Sequence, residues 1–199
     1  MMSLVAQQAE LACHPETPSQ SVNTIGARLS QVSDGGIAIT YCLEGEISRV
    51  CLPGKCAPNR VDGLWRHTCF EAFVAVRAGP AYHEFNFAPS GQWAAYAFQA
   101  YRHGGPLPRA SDPQITVRAS ANRFELDALI RRESLPGLPV NGRFLLGLSA
   151  VIEENAGAVS YWALKHPPGP PDFHDASAFI LEWKPHVARV LDPAYTGKR

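Results

Sequence analysis

No CxxC pair occurs in this sequence. Its five cysteines, Cys13, Cys42, Cys51, Cys56 and Cys69, are odd in number and scattered, so neither a disulfide framework nor a zinc ribbon is indicated and reduced thiols are expected. There is no excess of either charge: 18 Lys and Arg balance 18 Asp and Glu, leaving no long-range field to gather a polyanion or an acidic membrane surface. Nucleic acid is therefore not an expected partner. No apolar run approaches the roughly 20 residues of a membrane span. The opening MMSLVAQQAELACHPE has neither a basic start nor an apolar stretch of about seven residues, which argues against a signal peptide and for a cytoplasmic protein. Catalytic signatures are missing as well. GLSAV lacks the second glycine of a nucleophile elbow, HEFNF lacks the second histidine of a zinc-protease helix, and no glycine-rich phosphate loop is found.

What is present is a chain cut into short pieces. Its 17 prolines and 16 glycines are spread through 199 residues, a spacing that favours strands joined by turns over long helices. In GIAITYCLEG, Ile37, Ile39, Tyr41 and Leu43 alternate with smaller or more polar residues, the period of a half-buried strand. TCFEAFVAV alternates Phe70, Ala72, Val74 and Val76 against Cys69, Glu71, Phe73 and Ala75. YHEFNFAPSGQWAAYAFQAY is predicted to be a hairpin: strand 82–87, a turn from Pro89 to Gln92, strand 93–101. Further strands are expected at 22–30, 114–120, 143–152, 158–164 and 177–183. Leu126, Leu129 and Ile130 recur at helical spacing, which predicts one short helix over 126–135. Eight to ten strands with at most one or two short helices give an all-β chain, an antiparallel β-sandwich of jelly-roll type. With 46% hydrophobic residues the chain is expected to form one domain over 1–199, its core at about 10–184, with loose ends in the first ten residues and the tail AYTGKR.

Strand parity selects the polar side chains that share a face. Within 82–87, Tyr82, Glu84 and Asn86 point one way and His83, Phe85 and Phe87 the other, the phenylalanines into the core. If Phe70 and Val74 face inward on the neighbouring strand, Glu71 joins Glu84 and Asn86. The hairpin partner adds either Trp93, Gln99 and Tyr101 or Tyr96 and Arg102, depending on a register that spacing alone leaves open. Carboxylates, an amide and aromatics on one face suit a sugar, whose apolar ring face stacks on Trp or Tyr while its hydroxyls bond to planar polar groups. The same set also fits a plain solvated face with a cross-strand ion pair.

Two loops carry further candidates. In GLWRH, Trp65 is either a plug over the sandwich end, the commoner role of tryptophan, or an exposed stacking platform beside Arg66. LKHPPGPPDFH sets Lys165, His166, Asp172 and His174 among four prolines, a stiff segment that can be neither helix nor ladder strand. These four offer donors and acceptors at a preorganised pocket edge, or serve only to staple the loop. A metal on His166, His174 and Asp172 is a weak possibility because H-x7-H is not a recurring zinc spacing.

The run DGLWRHTCFEAFVAV, the following YHEFNFAPSGQWAAYAFQAYR and the later YWALKHPPGPPDFH resemble DOMON-like β-sandwiches related to the family 9 carbohydrate-binding modules. Trp65, the segment 69–73 of form C-F-E-x-F, the segment 82–86 of form Y-x-E-F-N and Trp93 carry that resemblance, which covers most of residues 10–184. It implies a ligand pocket at one sheet face, with Trp65 or Trp93 as platform and Glu71, Glu84, Asn86 and Arg102 around it. Haem, which relatives in the wider group bind through a methionine and a histidine, has no internal methionine to use here, since Met1 and Met2 are the only two. The expectation is therefore non-catalytic binding of a carbohydrate or related small polar ligand, without a cofactor. The alternatives are an enzyme acting on a glycosidic or similar bond, with Glu71 or Glu84 and His166 as acid and base, and a protein-interaction module using an exposed apolar patch that includes Trp93.

Overall fold

The computed structural model describes residues 7–77, 79–108, 110–137 and 143–183. The tail AYTGKR and both methionines lie outside the described residues. The alternating segments form twelve strands, all laddered antiparallel: β1 (Gln7–Cys13), β2 (Val22–Gln31), β3 (Ile37–Gly45), β4 (Cys69–Val76), β5 (Tyr82–Phe87), β6 (Trp93–Ala100), β7 (His103–Pro106), β8 (Gln114–Ala119), β9 (Arg123–Ile130), β10 (Phe144–Glu153), β11 (Val159–Ala163) and β12 (Leu181–Trp183). The strand order is β7-β6-β5-β4-β10-β11-β1-β2-β3-β9-β8, and β12 pairs with β10 beyond the end of β11. β1 belongs to both halves. Residues 7–11 pair with β2, whereas Ala12 and Cys13 pair with β11, so this strand carries the path from one sheet of the sandwich to the other.

One core lies between the two sheets. β2, β3 and β9 supply Ile25, Leu29, Ile39, Leu43, Leu126 and Ile130, and β4, β5 and β10 answer with Phe70, Val74, Phe85, Phe87, Leu148 and Ile152. The outer face of the first sheet is polar. Arg118 and Arg123 there form ion pairs with Glu125, Asp127 and Glu44, as a solvated antiparallel face would. Phe70 is fully enclosed, 5.1 Å from the Tyr41 ring and 5.8 Å from Phe124, and the buried Tyr41 hydroxyl donates to the Glu71 carbonyl at 2.6 Å. The two sheets are thus locked together directly behind Glu71.

Four sequence expectations need correction. The described residues hold twelve strands rather than eight to ten, β1 and β7 being among those the alternation did not mark. Residues 126–130 extend β9, because Phe124, Leu126, Ala128 and Ile130 alternate into the core against Arg123, Glu125 and Asp127; only Arg132–Ser134 makes a helical turn, of 3-10 type. The first ten residues are not all a loose end, since β1 starts at Gln7. The strand expected at 177–183 is reduced to β12, preceded by a 3-10 turn at Ala176–Ala178 in which the Asp175 side chain accepts from the Ser177 N–H.

β4 differs from the outer sheet strands in being buried on both faces. Cys69, Glu71, Phe73 and Ala75 point away from the central core yet remain enclosed, because loops return over that face. Phe73, Ala75, Tyr82 and Phe179 form a second apolar cluster there, with Phe98 and Phe173 against it. Gly147 makes this possible. It pairs with Phe73, and a Cβ at this position would stand 2.5 Å from the Phe179 ring, so only glycine lets Phe179 lie on the sheet.

Candidate functional site

On this second face of β4, β5 and β10 lies a cleft of about 820 Å³. Register fixes its floor. Glu71 sits opposite Asn86 and Ser149, and Glu84 sits opposite Phe73 and Tyr96, so the two carboxylates are diagonal neighbours across β4 and β5. Tyr96 and Phe98 of β6 make one wall, continued by Gly104, Gly105 and Pro106 of β7. Val151, Tyr161 and Phe173 also line it, His174 packs edge-on against Phe98 at 5.1 Å, and Asp62, Trp65 and Arg66 complete the lining. Trp65 is 47% exposed, so it does not plug the sandwich end. Gly63 aims it: its φ of 82° is a left-handed conformation that glycine adopts freely, and the turn Leu64–Arg66 follows at once. The Arg66 guanidinium lies 5.1 Å from the Trp65 ring centre, a cation–π contact.

The carboxylates are almost sealed from solvent, with Glu71 2% and Glu84 4% exposed. Glu71 Oε2 accepts from the Ser149 hydroxyl at 3.4 Å, while Oε1 is buried with no hydrogen-bond partner. Glu84 Oε1 accepts from Asn86 at 2.6 Å. Burial raises both acids, pushing Glu84 up to about 7 against the opposing pull of Asn86 and the Arg102 charge; repulsion from Glu84 adds to the rise at Glu71. Two like charges so enclosed disfavour the state in which both acids are ionised.

The proline loop is held over this floor by a closed set of bonds. Asp172 accepts from the Arg102 guanidinium at 2.9 Å, the Tyr101 hydroxyl at 2.7 Å and the His174 backbone at 3.0 Å. Arg102 occupies the tight turn between β6 and β7 with φ at 52°, uncommon for a residue with a side chain. Its backbone N–H donates to the Tyr82 oxygen at 3.1 Å. The Tyr82 hydroxyl is then placed to donate to His174 Nδ1 at 2.8 Å, leaving His174 Nε2–H toward Glu84 Oε2 at 3.7 Å. Burial and the nearby Arg102 charge lower His174 to about 4, so this ring is neutral at pH 7.

Of the sequence-derived candidates, Trp65, Arg66, Glu71, Glu84, Arg102 and His174 meet in the cleft. Five do not line it. Trp93 pairs with Phe87 and its ring packs into the central core, so it can be neither platform nor exposed patch; the register chooses Tyr96 instead. Asn86 is fully buried behind Glu84, which it orients. Asp172 acts through Arg102. Lys165 points to solvent away from the cleft. His166 bonds the Ala12 carbonyl at 2.9 Å, and His14, 4.8 Å from it ring to ring, bonds the Gly169 carbonyl at 3.0 Å, so the two histidines staple the proline loop to β1. His166 therefore cannot serve Glu71 or Glu84 as acid or base. Among the described residues no cluster of three metal-ligating side chains exists, His166, His174 and Asp172 being spent on separate partners.

Asp62, Phe98, Tyr161 and Phe173 were missed. Phe98 shares the parity of Tyr96 and was recoverable once the hairpin register was known; Asp62 and Phe173 arrive from loops that leave no periodic signal.

No protein-family model matches the chain, and no curated protein matches it in sequence. Solved structures do match. A candidate carbohydrate-binding protein from Bacteroides uniformis superposes with a TM-score of 0.63 at 14% identity, over 89% of this chain and 84% of that one. A family 9 carbohydrate-binding module from Caldicellulosiruptor kristjanssonii in complex with cellotriose gives 0.58 at 10% identity, over 90% and 82%. A family 9 module from the same organism in complex with glucose gives 0.51 at 10%, over 92% and 88%. The fold is that of the family 9 carbohydrate-binding modules.

Proposed function

We propose that the chain binds a carbohydrate in the cleft between Trp65 and the Glu71–Glu84 floor. The observation that carries this reading is Glu71 Oε1, an acceptor buried without a partner beneath an open cleft with an exposed tryptophan in its lining. A buried polar atom left unpaired costs roughly 1–3 kcal/mol, a cost a ligand hydroxyl would remove. The sugar's apolar face stacks on Trp65, while Glu71 and Glu84 accept from its hydroxyls and Arg102 donates. The likeness to modules solved with glucose and cellotriose supports the same class of ligand.

A thermal-melt screen against mono- and oligosaccharides tests this. A sugar at about a hundred times its dissociation constant adds roughly 2.7 kcal/mol, a rise of several degrees for a chain of this size. A saturable rise with one sugar class is expected; a flat response to every class would remove the reading.

Two buried carboxyls of raised pKa lining the cleft, with His174 Nε2 3.7 Å from Glu84 Oε2, favour a second reading, acid–base catalysis at a glycosidic bond, with His174 in place of His166. Turnover of aryl glycosides lost in Glu84→Gln would carry it, and turnover unchanged in the folded variant would eliminate Glu84 from it.

A further inference from the structure

We infer that the preferred ligand of this cleft carries a protonated amine: a sugar with a free amino group rather than a neutral hexose. The inference rests on the sugar-binding reading and concerns what the floor selects. Two carboxylates lie diagonally across β4 and β5 at the bottom; among the described residues Glu71 forms no ion pair, and the Arg102 charge acts on both acids without pairing to either. The charged groups nearby are already engaged. Arg102 is held by Asp172 and Tyr101, Arg66 lies on the Trp65 face, and the neutral His174 accepts a hydrogen bond from the Tyr82 hydroxyl. Glu71 Oε1 is left with nothing to accept from.

A neutral hydroxyl supplies one donor and no charge, so it satisfies Glu71 Oε1 without offsetting the repulsion between the two carboxylates. An ammonium supplies three donors and the missing positive charge. Placed between the two carboxylates, it bonds to Glu71 Oε1 and Glu84 Oε2 at once and allows both to ionise. The walls suit it also. Tyr96, Phe98, Tyr161 and Phe173 line the space with aromatic rings, whose negative faces attract a cation most where water is excluded. Acidic floor, aromatic walls and a stacking tryptophan together describe an amino sugar.

The test compares three sugars of one size by calorimetric titration at pH 6.5: glucosamine, N-acetylglucosamine and glucose. N-acetylglucosamine keeps the nitrogen and removes the charge. Glucosamine is expected to bind at least tenfold tighter than either of the others, and the preference is expected to collapse in Glu71→Gln. Because that variant could fail to fold, the wild-type comparison stands by itself, and the melting curve of Glu71→Gln is recorded alongside. Equal affinities, or glucose bound tightest, would overturn the inference and leave sugar binding intact. If none of the three binds while other neutral sugars do, the amine is not what the floor selects. If no sugar of any class binds, the sugar-binding reading falls with it.

Discussion

Between pH 4.5 and pH 8, the stability of the Glu84→Gln variant relative to the parent protein is expected to rise by on the order of 3 kcal/mol. Glu84 keeps its proton up to about 7 in the folded state and loses it near 4.5 when unfolded. Its folded pKa is raised, so between those values the folded state binds the extra proton and stability falls as pH increases. The window spans about 2.5 units at roughly 1.36 kcal/mol each. Glutamine removes the titration while its amide oxygen can still accept from Asn86. His174 has the opposite sign: its contribution is present above its ordinary 6.5 and is lost as pH falls toward about 4. Since His174 is retained in both proteins, its contribution largely cancels in the difference. Urea unfolding of both proteins at both pH values measures the effect, and a difference independent of pH would show that Glu84 ionises normally. The same substitution should weaken sugar binding, since it removes an acceptor from the floor. A variant that is more stable and binds less is the signature of a group kept for function at a cost in stability.

Phe73→Ala is expected to cost about 3–5 kcal/mol, in the range of aromatic deletions from packed sites. Phe73 is 1% exposed, although it points away from the central core. Its ring stacks on Phe179 at 5.4 Å and meets His174 edge-on at 5.4 Å. Its loss therefore opens a cavity beneath the loop that carries Phe173 and His174, so ligand affinity should fall together with stability. Phe73→Leu, which keeps much of the volume, should recover most of both. Were Phe73→Ala to cost under about 1 kcal/mol, the second apolar cluster would not be what seats the loop.

Much of this arrangement was legible before any coordinates. The alternation in 82–87 placed Phe85 and Phe87 inward and Tyr82, Glu84 and Asn86 together on the other face, and the same parity in 69–76 brought Glu71 beside them. That face was open to description as solvated, and it is enclosed instead. The hint lay in β4 itself, where Phe73 and Ala75 share a side with Glu71: a face meant for water would not carry them. Trp93 was misplaced because a one-residue change of hairpin register exchanges the two faces, and only the pairing of Glu84 with Tyr96 resolves it. Leu126, Leu129 and Ile130 fit a helical spacing, yet Phe124 and Ala128 fit period two with Leu126 and Ile130, and the ladder to β3 decided between them. The proline loop was expected to present Lys165, His166, Asp172 and His174 as a set. A stiff segment fixes its own backbone but not which side chains face inward, and here only His174 does so, with Asp172 acting through Arg102.

The most direct measurement is a calorimetric titration of the protein and of Trp65→Ala with glucose, cellotriose and glucosamine. Trp65 is exposed and supports no core, so its removal should leave the fold intact. The account expects saturable binding of at least one of these sugars, weakened roughly tenfold or more in Trp65→Ala, a loss of about 1.4 kcal/mol or more in binding free energy. Binding of equal strength in the two proteins, or none to the folded wild type, would contradict it.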